Sequence, residues 1–247
     1  MKKIILPAAL AFMLFGCTDL GKTLNDVNTA VQNSTGTTVP LTNADIVQGL
    51  KDALSQGATN GSNKASAVDG FNANPRIHIP FPPAAQKVAD FVISIGMQSQ
   101  VDKFVLTLNR AAEDACKGAA PIFIDAIKSM TVSDGLTILK GSDTAATHFL
   151  RDKCAIALGV KFKPTVQQST QKVKLTEYWT PLTTAYNKIP THTAVQTDLD
   201  QYVTDLAVSG IFKLVGDEET SIRTNPAARA TDIMKKVFGS KDNPHNQ

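Results

Sequence analysis

The chain has 247 residues, 43% apolar and only 6% aromatic, with 25 Lys and Arg against 22 Asp and Glu, a formal net charge of +3 at pH 7. That length suffices for one sizeable hydrophobic core. The near-balance of charge, with no basic run interleaved with aromatics, excludes the electrostatic footprint of a nucleic-acid-binding protein.

Met1-Lys2-Lys3 precedes an apolar stretch from Ile4 to Phe15, then Gly16 and Cys17. Charge, apolar core and small residue are the three regions of a secretory signal peptide. About a dozen apolar residues fall short of the roughly twenty that span a bilayer, and Pro7 disfavours a membrane helix. The Leu14-Phe15-Gly16-Cys17 end resembles the lipobox of bacterial lipoproteins, with Phe15 where a small residue is commoner. The resemblance implies cleavage after residue 16, acylation of the Cys17 thiol and, from Thr18 in place of Asp, the periplasmic face of the outer membrane; Asp19 weakens that last implication. Two or more acyl chains anchor stably, whereas one binds only marginally. Removing residues 1–16 takes Lys2 and Lys3 with it and leaves 23 basic and 22 acidic side chains, a net of +1.

Residues 17–40 are expected to form a lipidated terminus and tether. Leu20, Leu24, Val27 and Val31 repeat at helical spacing. So short a helix is marginal alone; it docks on the main domain, a second copy or the lipid surface, or it is frayed. Asn33 to Thr38 is a flexible polar linker.

The domain is expected over 41–239. Ala, Leu, Lys and Gln are plentiful and tight-turn dipeptides sparse, which favours helix. Thr42 and Asp45 form a capping-box pattern before Ile46, Val47, Leu50 and Leu54. Gly57 to Asn63 is expected to loosen that helix, and Asp69-Gly70 to stop it. Ile77-His78-Ile79-Pro80 alternates and is extended, but its prolines forbid a central strand; a short bridge to Val160 and Phe162 is the most sheet expected. Helices follow over Ala84–Met97 and Gln100–Ala120, where Val101, Phe104, Val105, Leu108, Ala112 and Ala115 share a face with Asn109 and Glu113 at its edge. Pro121 breaks or kinks the run before a helix over Ile122–Met130. Thr131 caps a helix ended by Gly141, and Asp143 one over Thr144–Leu158 with Ala145, Phe149 and Ile156 on one side. Helices over Pro164–Trp179 and Pro181–Lys188 precede a loop from Ile189 to Thr197. The segment from Leu199 through the nearly all-apolar Ala207–Val215 reads as the central helix, with Glu219 and Arg223 placed to pair four residues apart. Asn225-Pro226 starts a last helix ended by Gly239, and 240–247 is a disordered tail. The expected fold class is all-α: one globular domain of roughly eight to ten helices.

Several segments together carry a family likeness: Asp69-Gly70-Phe71, Ile77-His78-Ile79-Pro80, Asn109-Arg110-Ala111-Ala112-Glu113, Pro121-Ile122-Phe123, Ala145-Ala146-Thr147, Leu199-Asp200-Gln201-Tyr202-Val203 and Asn225-Pro226-Ala227-Ala228-Arg229. In order and spacing the chain resembles a bacterial lipoprotein family catalogued as a domain of unknown function, DUF4197, over Leu41–Gly239. The resemblance implies one domain and a cell-envelope address and carries no activity. Gly135 and Cys154 depart from the family's commoner residues.

The residues themselves offer few reaction centres. Beyond the lipidation residue Cys17, Cys116 and Cys154 remain as a candidate disulfide or as two independent buried thiols. No histidine pair among His78, His148, His192 and His245 has zinc-site spacing, so neither metal nor cofactor is expected. His148 and Asp152 lie one turn apart on a polar face with Arg151. Ser169-Thr170-Gln171-Lys172 fits S-x-x-K without the companion motifs of penicillin-recognising enzymes. A Cys116–His148 pair competes with the disulfide. Glu113, Asp114, Asp125, Asp134, Glu218 and Glu219 could serve acid–base chemistry or pair with Arg110, Arg151 or Arg223. The expectation is a lipid-anchored, non-enzymatic binding or scaffolding module whose partner is an envelope protein, peptidoglycan or a lipid-like ligand, with no nucleic acid. The alternative is a hydrolase with a helical carboxylate site, carried by Glu113 and Asp125, acting on envelope material.

Overall fold

The computed structural model describes residues 40–172, 175–188, 198–241 and 243. The expected leader, Cys17, the Leu20–Val31 repeat of the expected tether and the expected loop over Ile189–Thr197 lie outside the described residues. Among the described residues there are nine α-helices, two 3-10 turns and no strand.

Helix α1 (Asn43–Ser66) starts as its sequence dictates. The Asp45 amide donates to Thr42 Oγ1 at 3.1 Å and the Thr42 amide to Asp45 Oδ2 at 3.0 Å, a reciprocal box that holds the Asp45 carboxyl below its ordinary range. The glycine-rich stretch does not loosen the helix, which runs on to Ser66. The reason is tertiary. Gly49, Ala53, Gly57, Gly61 and Ala65 recur every four residues and form a buried groove of small residues. A Cβ at Gly61 would lie 2.9 Å from Val215 Cγ2, and one at Gly49 2.7 Å from Val237 Cγ2. Glycine weakens a helix by about 1 kcal/mol per residue; here close backbone approach to two later helices offsets that cost.

The stop at Asp69-Gly70 is real. Asp69 takes a left-handed φ of 65°, and a Cβ at Gly70 would strike the carbonyl oxygens of Lys64 and Ala65. The segment beyond is not extended throughout as its alternation predicts: hydrogen-bonded turns run through Ile77, with the Ile77 and His78 amides both donating to the Asn74 carbonyl, and Ile77, Ile79 and Phe81 are nonetheless buried in alternation.

A 3-10 turn at Pro83–Ala85 leads into α2 (Gln86–Ser94), and a turn through Gly96 (φ 87°) into α3 (Gln98–Cys116). Helix α3 buries Val101, Phe104, Leu108, Ala112 and Ala115, the face its spacing predicts; Val105 is half-buried. The break falls at Lys117-Gly118. Pro121 then sits in the first turn of α4 (Ala119–Lys128), where no amide donor is needed, and kinks nothing. Helix α5 (Val132–Lys140) carries the Thr131–Asp134 capping box and ends at Gly141 as expected.

Helix α6 (Ala145–Lys172) corrects the sequence reading. It neither stops near Leu158 nor restarts at Pro164. Leu150, Cys154, Leu158, Phe162 and Val166 are all buried, one every four residues, and this unbroken apolar stripe carries the helix through Pro164 despite the lost backbone hydrogen bond. Val160 and Phe162 are therefore helical, and the bridge to the Ile77–Ile79 segment does not form. Ile156, expected on the apolar side, points outward and is 85% exposed.

Helix α7 (Leu175–Asn187) carries Pro181 inside it. Helix α8 (Leu199–Thr224) is the central helix that its apolar run predicts, with Val203, Ala207, Ile211, Phe212 and Val215 buried against α1, α3 and α6. Asn225-Pro226 caps only a 3-10 turn, Pro226–Ala228. Arg229 then folds back onto the end of α8, so the last helix, α9 (Asp232–Phe238), takes its cap from Thr231 and ends at Gly239. In the polar tail, Asn243 is buried and donates to the Phe238 carbonyl at 2.7 Å.

Two substitutions separate packing from propensity. Gly61→Val should lower stability by about 1–3 kcal/mol through overpacking against Val215. Gly159→Ala, mid-helix with nothing within 4 Å of the added carbon, should raise it by about 0.5–1 kcal/mol. Urea-unfolding midpoints of the two variants, moving in opposite directions, check both.

Candidate functional site

Two buried side chains of α3 fix the irregular segment over 69–81. Asn109 and Glu113, one helical turn apart, are 0% and 4% exposed. Asn109 Oδ1 accepts the Ile79 amide and its Nδ2 donates to the Ile79 carbonyl, both at 2.9 Å. Glu113 Oε1 accepts the amides of Phe71 and Asn72 at 3.1 Å each, and Oε2 accepts Arg110 Nη1 at 2.6 Å. Arg110 Nη2 reaches Asp69 Oδ1 at 2.7 Å. The Asn72 side chain first, and Arg110 second, hold the Asp69 carboxyl below its usual range. Sequence placed Asn109 and Glu113 only at the margin of α3. The signal it carried was an Asn and a Glu four apart beside an apolar stripe, and the backbone groups they serve are 30 to 42 residues away in sequence.

Beside this clamp lies a cleft of about 270 Å³, lined by Ser66, Val68, Arg110, Asp114, Lys117 and Ser169 among others, whose exposed surface is largely the carbon of these side chains. Ser169 Oγ donates to Asp114 Oδ2 at 2.6 Å, and Lys117 Nζ donates to Asp114 Oδ1 at 2.8 Å. A carboxylate already held by an ammonium is a poor base, so Asp114 positions the serine of the S-x-x-K pattern without activating it; the Lys172 side chain lies outside the described residues. With cations and carboxylates interleaved, the cleft offers donors and acceptors to a polar group.

A second buried network sits where α5, α6 and α8 meet. Glu219, 8% exposed, accepts the Ala146 amide at 2.9 Å and the Thr147 amide and hydroxyl at 2.7 Å each. Arg223, 1% exposed, donates to Glu219 Oε1 through Nε at 3.0 Å and to the Ile138 carbonyl at 2.9 Å. The pairing read from the four-residue spacing is thus real, and its burial is what the sequence did not give. Glu219 is the counter-charge to the α6 N-terminus. An adjoining apolar cavity of about 20 Å³, lined by Leu54, Gly57, Val215 and Arg223 among others, has the size of one water.

The other candidates fall apart in space or are already engaged. Glu218 accepts Lys64 at 2.5 Å and Asn60 at 2.9 Å. Asp125 is 78% exposed with Lys128 at 3.6 Å, so it shares no partner with Glu113. Asp134 is committed to its cap, which holds its carboxyl below the ordinary range. His78 lies half-buried with Nδ1 3.0 Å from the Asn72 carbonyl oxygen. His148 is exposed, and His192 and His245 lie outside the described residues. Arg151 stacks on Phe212, 4.6 Å from the ring centre, and pairs with none of these carboxylates. Among the described residues no three His, Cys, Asp or Glu side chains are grouped as metal ligands.

The candidate disulfide is not formed: Cys116 and Cys154 are free, buried thiols. Each is turned into apolar packing from its own helix, and Cys154 Sγ contacts the Ile122 carbonyl at 3.9 Å. Burial pushes the Cys116 thiol far up and Cys154 up to about 11, which makes both inert and removes Cys116 as a nucleophile for the exposed His148.

Glu219→Ala should destabilise by about 3–5 kcal/mol, because it strands the buried Arg223 charge; the double variant Glu219→Leu/Arg223→Met should recover part of that loss, read from urea unfolding. Neither Cys116 nor Cys154 should react with a thiol reagent in native protein, and both should react once it is unfolded, as counted by mass.

The family described as "Protein of unknown function (DUF4197)" matches residues 40–239. No curated protein matches the chain, and no solved structure does. The matched span runs from Pro40, three residues before the first described helix, to the glycine that ends the last, and holds both buried networks; the chain belongs to the DUF4197 family.

Proposed function

We propose that the protein is a cell-envelope lipoprotein: Cys17 carries the lipid, residues 17–40 are the tether, and the helical domain is a non-enzymatic binding or scaffolding module held at the periplasmic face of the outer membrane. The observation that carries the reading is the leader ending in Leu14-Phe15-Gly16-Cys17. The engagement of the candidate reactive groups adds to it. Glu113 and Glu219 hold backbone amides, Ser169 donates to an already neutralised carboxylate, and the cysteines are buried. The cleft beside Arg110 and Lys117 is the binding surface in this reading, suited to a partner with polar groups of both signs, whether envelope protein or peptidoglycan. The hydrolase alternative built on Glu113 and Asp125 has no comparable support, since Glu113 is committed to Phe71, Asn72 and Arg110, and Asp125 lies in solvent.

Two measurements test the reading. Mass spectrometry of the chain purified from envelopes should find Cys17 as an acylated first residue; an intact leader or an unmodified thiol overturns the anchor. A photocrosslinking residue in place of Val68, 80% exposed on the cleft rim, should capture one reproducible partner in intact cells. Recovery of the uncrosslinked chain alone overturns the cleft as a binding surface.

A further inference from the structure

Helix α6 presents an outer face that no part of the described domain covers. Ile156 is 85% exposed and Val160 71% exposed, one turn apart, with Ala157 and Pro164 exposed beside them. Exposures this high leave no walls of a groove: the face is convex, and a Cβ added at Gly159, between the two large residues, would meet nothing within 4 Å. Soluble helices turn such residues inward, and α6 already has its buried stripe on another side.

The charge of the same helix is equally uneven. It carries Arg151, Lys153, Lys161, Lys163 and Lys172 against the single acid Asp152, a surplus of four, whereas the rest of the chain from Cys17 onward is net negative by three. Lys153 and Lys161 are exposed at the two edges of this face, the Lys161 stem passing over Gly118, and the exposed Asp152 lies one turn before Ile156. Neither lysine takes part in any ion pair or hydrogen bond of the described residues; Lys153 lies 5.8 Å from the centre of the Phe149 ring and within electrostatic reach of the Asp134 carboxylate, and Lys163 is turned aside to Gln201 at 2.9 Å.

Apolar side chains flanked by lysines on one convex helical face is the pattern that seats a helix at an anionic lipid surface. The apolar groups enter the headgroup boundary, and the lysine stems follow them while their ammonium groups stay among phosphates. A second copy docking face to face would bring like charges together. We propose that the outer face of α6, through Ile156, Val160, Lys153 and Lys161, rests on the anionic phospholipid surface of the membrane to which the chain is anchored. The proposal rests on the anchored reading above and specifies which face of the domain meets the bilayer.

The full chain with Val160→Cys, labelled with an environment-sensitive dye, tests it. Cys116 and Cys154 are buried and are spared by the label; dye taken up by the chain without the substitution reports a free Cys17, and so a failure of the anchor apart from this proposal. In vesicles of phosphatidylcholine mixed with phosphatidylglycerol the dye should shift to an apolar environment, and in phosphatidylcholine alone it should not. Lys153→Glu/Lys161→Glu should weaken that response about tenfold or more, whereas Lys87→Glu/Lys103→Glu, with the same change of net charge, should leave it intact. A water-like dye in both vesicle types, on a chain that still floats with them, overturns the proposal and leaves the anchor standing. So does a shift present before vesicles are added, which assigns the face to a second copy if it grows with protein concentration and to the chain's own N-terminal segment if it does not.

Discussion

The buried pair of Glu219 and Arg223 is the interaction on which the arrangement of the helices depends. Two charges taken out of water are costly, and their mutual attraction repays that only when the remaining donors and acceptors are also satisfied. Here nearly all are. Glu219 takes the amides of Ala146 and Thr147 at the start of α6, and Arg223 takes the Ile138 carbonyl in the last turn of α5. One pair on the central helix therefore closes the end of one neighbour and the beginning of the next, supplying partners that helix termini lack by themselves. Arg229 repeats the device on α8 itself, donating to the carbonyls of Ile222 and Arg223 at 3.0 and 2.9 Å.

The Asn109–Glu113 clamp works by the same principle on irregular backbone. Residues 69–81 form neither helix nor strand, so their amides and carbonyls need partners from elsewhere. Two side chains of α3 provide them, and the burial of Phe71, Ile77, Ile79 and Phe81 follows. The cleft stands beside this clamp, sharing Arg110 and Glu113 with it. Of the two carboxylates on which a hydrolase would rest, Glu113 thus has a structural duty, and Asp125 lies in solvent.

Packing on the central helix sets a different demand. The small residues of α1 let its backbone approach Val215 and Val237 closely, and Gly210 on α8 makes room for the Phe71 ring. Dispersion contacts at such close approach are individually small and collectively large. They explain why a glycine-rich helix and a proline-containing one, α1 and α6, are among the longest in the domain.

The sequence alone determined what is local. The Thr42–Asp45 and Thr131–Asp134 caps, the glycine stop at residue 70, the apolar face of α3 and the apolar run of α8 all follow from short spacings, because caps and amphipathic stripes are made within a few residues. The all-α class followed from the same signals. Tertiary structure decided the rest. It kept α6 whole through Pro164, since the stripe that α6 buries against other helices outweighs one missing amide; it made a helix of the glycines at 49, 57 and 61, since what they fit lies more than 150 residues away; it buried Asn109, Glu113, Glu219 and Arg223, since they also serve backbone groups that no spacing rule reaches; and it left Ile156 and Val160 outside. Each outcome depends on a surface that exists only once distant segments have met.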